Sequence, residues 1–131
     1  MIRIFLHAKI HHCRVTACEP DYTGSIVIDR DLLDAIGMLP NEKVLVADCE
    51  NGRRWETYVF EGERGSGEIG VNGAAALLTG MGHRLIIQSY CQLDEVEQRT
   101  FRPKVIVCDA HNRVERTIEY DPAIRETVAA G

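Results

Sequence analysis

Two glycine–serine pairs, Gly24-Ser25 and Gly65-Ser66, are where the main chain of this sequence could itself react. Glycine allows strained torsions and leaves its carbonyl open to the serine hydroxyl that follows. Attack by that hydroxyl turns the amide into an ester. Elimination then cuts the chain and leaves dehydroalanine, which hydrolyses to a pyruvoyl group. Gly-Ser pairs are common, though, and nearly always ordinary turns, so composition does not choose between the two. A second candidate is Asn72-Gly73-Ala74-Ala75-Ala76. Small residues at a helix start leave backbone N–H groups open to a carboxylate. An Asn-capped helix packed through its alanines fits the same letters.

A third set is Lys9, Arg54, Thr57 and Tyr58. Strand alternation puts Lys9, His11 and Cys13 on one face and Ile10 and His12 on the other. Arg54 follows an Asn-Gly turn, and its guanidinium can hold a carboxylate with two parallel hydrogen bonds. Thr57 and Tyr58 are adjacent, so a regular strand sends them to opposite sides. They serve one centre only where the strand bends or borders another subunit. The fourth set, His7, His11, His12, Cys13 and Cys18, has metal-binding residue types, but its spacing matches no common structural zinc pattern. No metal is expected.

The elements that must carry these groups read as mainly strands. Short β-branched runs alternate with turn residues: Ile2 to about Ala17 as one or two strands, Ser25–Ile28, Val44–Ala47, Trp55–Phe60, Ile69–Val71, Arg84–Cys91, Lys104–Cys108 and Val114–Ile118. Asn51-Gly52 predicts a hairpin, because both residues tolerate positive φ. Asp29 caps a helix over Asp31–Ile36 that Gly37 stops, and Asn72 caps one over Gly73–Leu78. From Asp121 onward periodicity does not decide. The expectation is one mainly β domain, a small barrel with two or three short helices.

Composition narrows the function. At 131 residues the chain can bury a core without disulfides or metal. A formal charge of −5 argues against nucleic acid as a partner. The apolar stretch at the N-terminus is interrupted by charge and too short for a signal peptide, and nothing approaches a membrane span. Five widely spaced cysteines without a C-x-x-C pair read as free thiols in a reducing compartment. A cytoplasmic location is expected.

Taken in order, Met1-Ile2-Arg3, Lys9, His11, Tyr22-x-Gly24-Ser25, Ile28-Asp29, Leu33-Asp34-Ala35, Asn51-Gly52-x-Arg54, Thr57-Tyr58, Glu63-Arg64-Gly65-Ser66, Val71-Asn72-Gly73-Ala74-Ala75-Ala76 and Arg99-Thr100-x-Arg102-Pro103 resemble the pyruvoyl-dependent aspartate decarboxylases over nearly the whole chain. The resemblance selects Gly24-Ser25 for processing and implies pieces 1–24 and 25–131. It implies a double-psi β-barrel, a homotetramer with sites between subunits, and in some cases a maturation partner. The implied reaction is decarboxylation of L-aspartate to β-alanine for pantothenate synthesis. The cofactor would be a pyruvoyl group made from Ser25, whose ketone condenses with the substrate amine. By the same resemblance Tyr58 returns the proton, and Lys9 and Arg54 hold the two carboxylates in an order left open. Thr57 contacts substrate or polarises the Gly24 carbonyl, His11 lines the site, and Asn72, Gly73, Ala74 and Ala75 close it. Ala47 stands where some relatives carry tryptophan. The rival reading is an uncut β-barrel binding module without activity.

Overall fold

Alternating and β-branched segments pair over long sequence distances to build the barrel. In the computed structural model, residues 1–119 and the backbone of 127–129 are described. The strands are β1 (Arg3–Arg14), β2 (Ala17–Glu19), β3 (Ile26–Asp29), β4 (Lys43–Asp48), β5 (Arg54–Gly62), β6 (Ile69–Asn72), β7 (Arg84–Leu93), β8 (Lys104–Cys108), β9 (Val114–Glu119) and β10 (Thr127–Ala129). Helix α1 spans Arg30–Ile36, and 3₁₀ turns cover Gly73–Leu77 and Glu97–Arg99. Beyond β10, the C-terminal stretch left undecided by sequence lies outside the described residues. No helix among those described is long and apolar enough to cross a membrane.

The strand order is β10-β9-β8-β1-β7-β4-β5-β3-β6-β2. Two strands organise it. β1 lies between antiparallel β7 and parallel β8, and β3 lies between parallel β5 and antiparallel β6. This duplicated arrangement fits a small double-psi β-barrel, as expected. Ile10, Ile26, Ile28, Val46, Ile69 and Ile87 fill the interior, and α1 closes one side through Leu32, Leu33 and Ile36.

Asp29 caps α1 as expected: its carboxylate accepts the Asp31 N–H at 2.8 Å, and Gly37 ends the helix at φ 68°. It also accepts the N–H groups of Gly65 (3.0 Å) and Gly67 (2.8 Å). Burial alone would push this carboxyl up, but the N–H donors, with Arg113 nearby, bring it below the usual carboxylate range. Asn112 ties the same corner to β1, donating to the Arg14 and Gly67 carbonyls and accepting the Arg14 N–H. The far end of β3 is thereby anchored against three other segments.

The expected β4–β5 hairpin is present, and two other local expectations are corrected. The hairpin loop between β4 and β5 runs through Cys49–Arg53, with only Gly52 left-handed (φ 76°). Asn51 instead uses its side chain, accepting the Arg53 N–H and donating to the Leu78 carbonyl. Gly73 takes φ 72°, the segment winds as a 3₁₀ turn rather than an α-helix, and Asn72 is extended without a side-chain capping bond. Finally, β1 carries a bulge at His12, whose φ is 64°. An inserted residue reverses the side-chain alternation beyond it. Cys13 therefore joins Ala8 and Ile10 in the core rather than sharing a face with Lys9 and His11.

Candidate active site

Gly24 and Ser25 lead directly into β3, which runs parallel to β5 with Ile26 opposite Val59. Ser25 lies just before the first paired residue of β3, and Gly24 forms a bend ahead of it. Gly24 has φ 96°, the left-handed region where a side chain is strained. A Cβ at this position would lie 2.3 Å from Cε2 of Phe60. Ser25 is only 4% exposed, and its Oγ has no hydrogen-bond partner. The other pair differs. Ser66 is exposed and its Oγ accepts the Glu68 N–H at 3.2 Å. Both glycines are left-handed, so the buried, unpartnered hydroxyl is what separates the two sites.

β5 presents two faces. Trp55 packs on the core and Val59 is buried, which places Thr57 on the inner side. Arg54, Tyr58 and Phe60 are exposed on the other side. The Tyr58 and Phe60 rings meet edge to face, with centroids 5.6 Å apart at 76°. The expected opposition of Thr57 and Tyr58 is therefore present. Gly73 approaches the Gly24-Ser25 segment: its Cβ would lie 3.7 Å from the carbonyl oxygens of Gly24 and Tyr22. Gly24, Ser25, Tyr58, Phe60 and Gly73 thus form one cluster. Asn72, Ala74 and Ala75 accompany Gly73 at its edge, Asn72 and Ala75 half-buried and Ala74 exposed.

Lys9 and His11 stand elsewhere. Strand register aligns Arg116, Val107, His11, Ile86, Ala47 and Arg54 in one row across β9, β8, β1, β7, β4 and β5. Lys9 falls in the next row, opposite Gln88. His11 and Arg54 are three strand spacings apart, about 14 Å along the sheet. Ala47 and Ile86 form the floor between them. The face bears cations at both ends and suits an anionic ligand.

His11 stacks on His12 with centroids 3.7 Å apart. Burial, reinforced by the charges of His12, Lys9, Arg116 and Arg84, lowers the His11 imidazole to about 4. It is neutral at neutral pH. Below the unfolded value near 6.5 the unfolded chain takes up a proton that the folded chain refuses. Stability contributed by this residue therefore falls as pH drops from about 6.5 to 4 and is level above that window. Urea midpoints measured across the window should decline less steeply in His11→Asn than in the parent. Parallel slopes would remove His11 as a source of acid sensitivity.

The sequence model of the aspartate decarboxylase family matches residues 1–115. The chain belongs to that family. It is 47% identical over 123 residues to the aspartate 1-decarboxylase of Anoxybacillus flavithermus, covering 94% of this chain and 97% of the relative. The Exiguobacterium sibiricum protein of the same name is 49% identical over 123 residues, with 94% and 97% covered. That of Neisseria meningitidis serogroup C is 48% identical over 122 residues, with 93% and 96% covered.

Within this aspartate decarboxylase family member, Phe60 and Arg116 are site-facing residues that sequence reading missed. An aromatic on an alternating strand gives no signal of packing on Gly24. Arg116 reaches the row of His11 only through the β8–β9 register.

Proposed function

We propose that this chain cuts itself between Gly24 and Ser25 and then decarboxylates L-aspartate to β-alanine and carbon dioxide, the step that feeds pantothenate synthesis. The observation that carries the reading is the Ser25 hydroxyl, nine-tenths buried, without a partner, and directly after a left-handed glycine. A buried hydroxyl left unpaired costs free energy, about 1–3 kcal/mol, and needs a reason. A nucleophile awaiting its own carbonyl is such a reason. Oγ bonds to the Gly24 carbonyl carbon as the C–N bond breaks, giving an ester. Loss of the Cα proton and scission of the Cβ–O bond release the Gly24 carboxylate and leave dehydroalanine. Water then replaces the nitrogen, which departs as ammonia, and a pyruvoyl group heads the second piece. Thr57, on the neighbouring strand β5, polarises that carbonyl.

The residues around Ser25 fit such a group, because Gly73, without a side chain, leaves room beside the Gly24 carbonyl. The pyruvoyl ketone supplies an electron sink when it condenses with the substrate amine. The chain's own residues do the rest. Tyr58 Oη returns a proton to the carbon that lost carbon dioxide. Arg54 and Lys9 hold the two carboxylates, and the neutral His11 lines the site beside Lys9. Asn72, Gly73, Ala74 and Ala75 close the pocket with small groups that let substrate near the backbone. Phe60 keeps water from the Gly24 side.

Lys9 and His11 on β1 stand three strand spacings, about 14 Å along the sheet, from the β5 strand that carries Arg54 and Tyr58, which favours a homotetramer whose sites form between subunits. Exposed Ile4 on β1 and Tyr90 on β7 suit contact with another copy. The protein is placed in the cytoplasm, with processing either spontaneous or aided by a maturation partner. Intact-mass measurement tests the reading: pieces 1–24 and 25–131 are expected, the second beginning with a keto group, together with β-alanine release. An uncut chain after prolonged incubation with host extract would favour the inactive binding module.

A further inference from the structure

Phe60 occupies an odd position for an apolar residue. It is 39% exposed and points away from the core, on the face of β5 opposite Trp55 and Val59. Its ring lies against the main chain at the cut site. A Cβ on Gly24 would sit 2.3, 2.8 and 3.1 Å from Cε2, Cζ and Cδ2. Real side chains do not make such contacts, so the ring and any residue larger than glycine compete for one volume. The same ring meets Tyr58 edge to face at 5.6 Å. Tyr58 is itself 42% exposed. No hydrogen bond is recorded for its Oη among the described residues, so this aromatic contact is a principal restraint on its ring within the chain.

We infer that Phe60 is a positioning residue: it fixes the Tyr58 ring for proton return, and it restricts position 24 to glycine. This rests on the proposed roles of Ser25 and Tyr58. An aromatic edge suits the task because the ring quadrupole favours the observed T-shaped contact and carries no group that could compete for the proton. A loosened ring would still let substrate bind, since the carboxylate-holding cations are on other residues. It would spend less time at the reacting carbon. The loss therefore belongs in kcat rather than KM.

Four variants test this against the parent protein, with cleavage followed by mass and turnover by β-alanine release. Phe60→Ala should lower kcat of the processed fraction about 10- to 100-fold with KM within about twofold. Phe60→Tyr, which restores the ring, should recover most of that loss. Gly24→Ala should stay uncut. Adding Phe60→Ala to it should restore measurable cleavage, because the clash is relieved even though positive φ still strains the alanine. Unchanged kcat in Phe60→Ala, a change confined to KM, or a double variant as inert as Gly24→Ala would overturn the assignment. Because Phe60 is partly exposed, loss of folding is not expected; Phe60→Leu keeps most of the volume and checks it, with kcat between those of the alanine variant and the parent. A parent protein that neither cuts itself nor makes β-alanine would instead sink the reading beneath.

Discussion

Ser25→Ala is expected to give a single uncut chain with no release of β-alanine and undiminished thermal stability. The three outcomes belong together. Alanine keeps Cβ and removes only Oγ, the atom that has no partner in a position 4% exposed. Deleting an unpaired buried hydroxyl relieves a desolvation cost on the order of 1–3 kcal/mol, so melting should occur at the same temperature or somewhat higher. Loss of function could not then be blamed on a damaged fold. Without the hydroxyl there is no nucleophile for the Gly24 carbonyl, no ester and no carbonyl sink, so both cleavage and decarboxylation stop. Electrophoresis, calorimetry and a product assay on one preparation read all three. A Ser25→Ala chain found in two pieces would show that something else makes the cut.

Tyr58→Phe should cut normally and lose turnover by about 100-fold or more, the usual scale for removing a positioned proton donor. Phenylalanine preserves the ring and hence its edge contact with Phe60, so the substitution deletes Oη with little rearrangement. The Michaelis constant should barely move, because the cations proposed to hold the carboxylates are untouched. Kinetics on fully processed protein separate this from any slower maturation. Full activity would mean that the proton comes from another group or from solvent.

How much of this could be read from the letters varied with the range of the interaction. Strand positions and the Asp29 cap with its Gly37 stop are local chemistry, and they were legible because alternation and turn residues agree. The bulge at His12 was not, since a histidine within a β-branched strand run reads as ordinary alternation; that one residue moved Cys13 from the expected site face into the core. The Asn72 helix failed for a similar reason: Gly73 looked like a permissive first residue but takes a positive φ, and the segment winds as a 3₁₀ turn. For the site, residue types marked Lys9, His11, Arg54 and Tyr58 as candidates, but not that the first two stand three strands along the sheet from the last two. That separation is set by pairing between segments far apart in sequence. The two Gly-Ser pairs were chemically equal on paper, and burial of one hydroxyl distinguishes them.

The pairing of β1 with β7 and β8, and of β2 with β6, has a bearing on inactivation. If the proposed cut after Gly24 is made, the N-terminal fragment is held only by noncovalent ladders, through β1 inside the sheet and β2 at its edge. It stays bound while the barrel is folded, but heat or denaturant would let it diffuse away. Recovery would then be a bimolecular search that slows on dilution, whereas an intact precursor refolds as one body. The matured enzyme should thus survive mild stress yet return poorly from full denaturation, and the uncut form should return well.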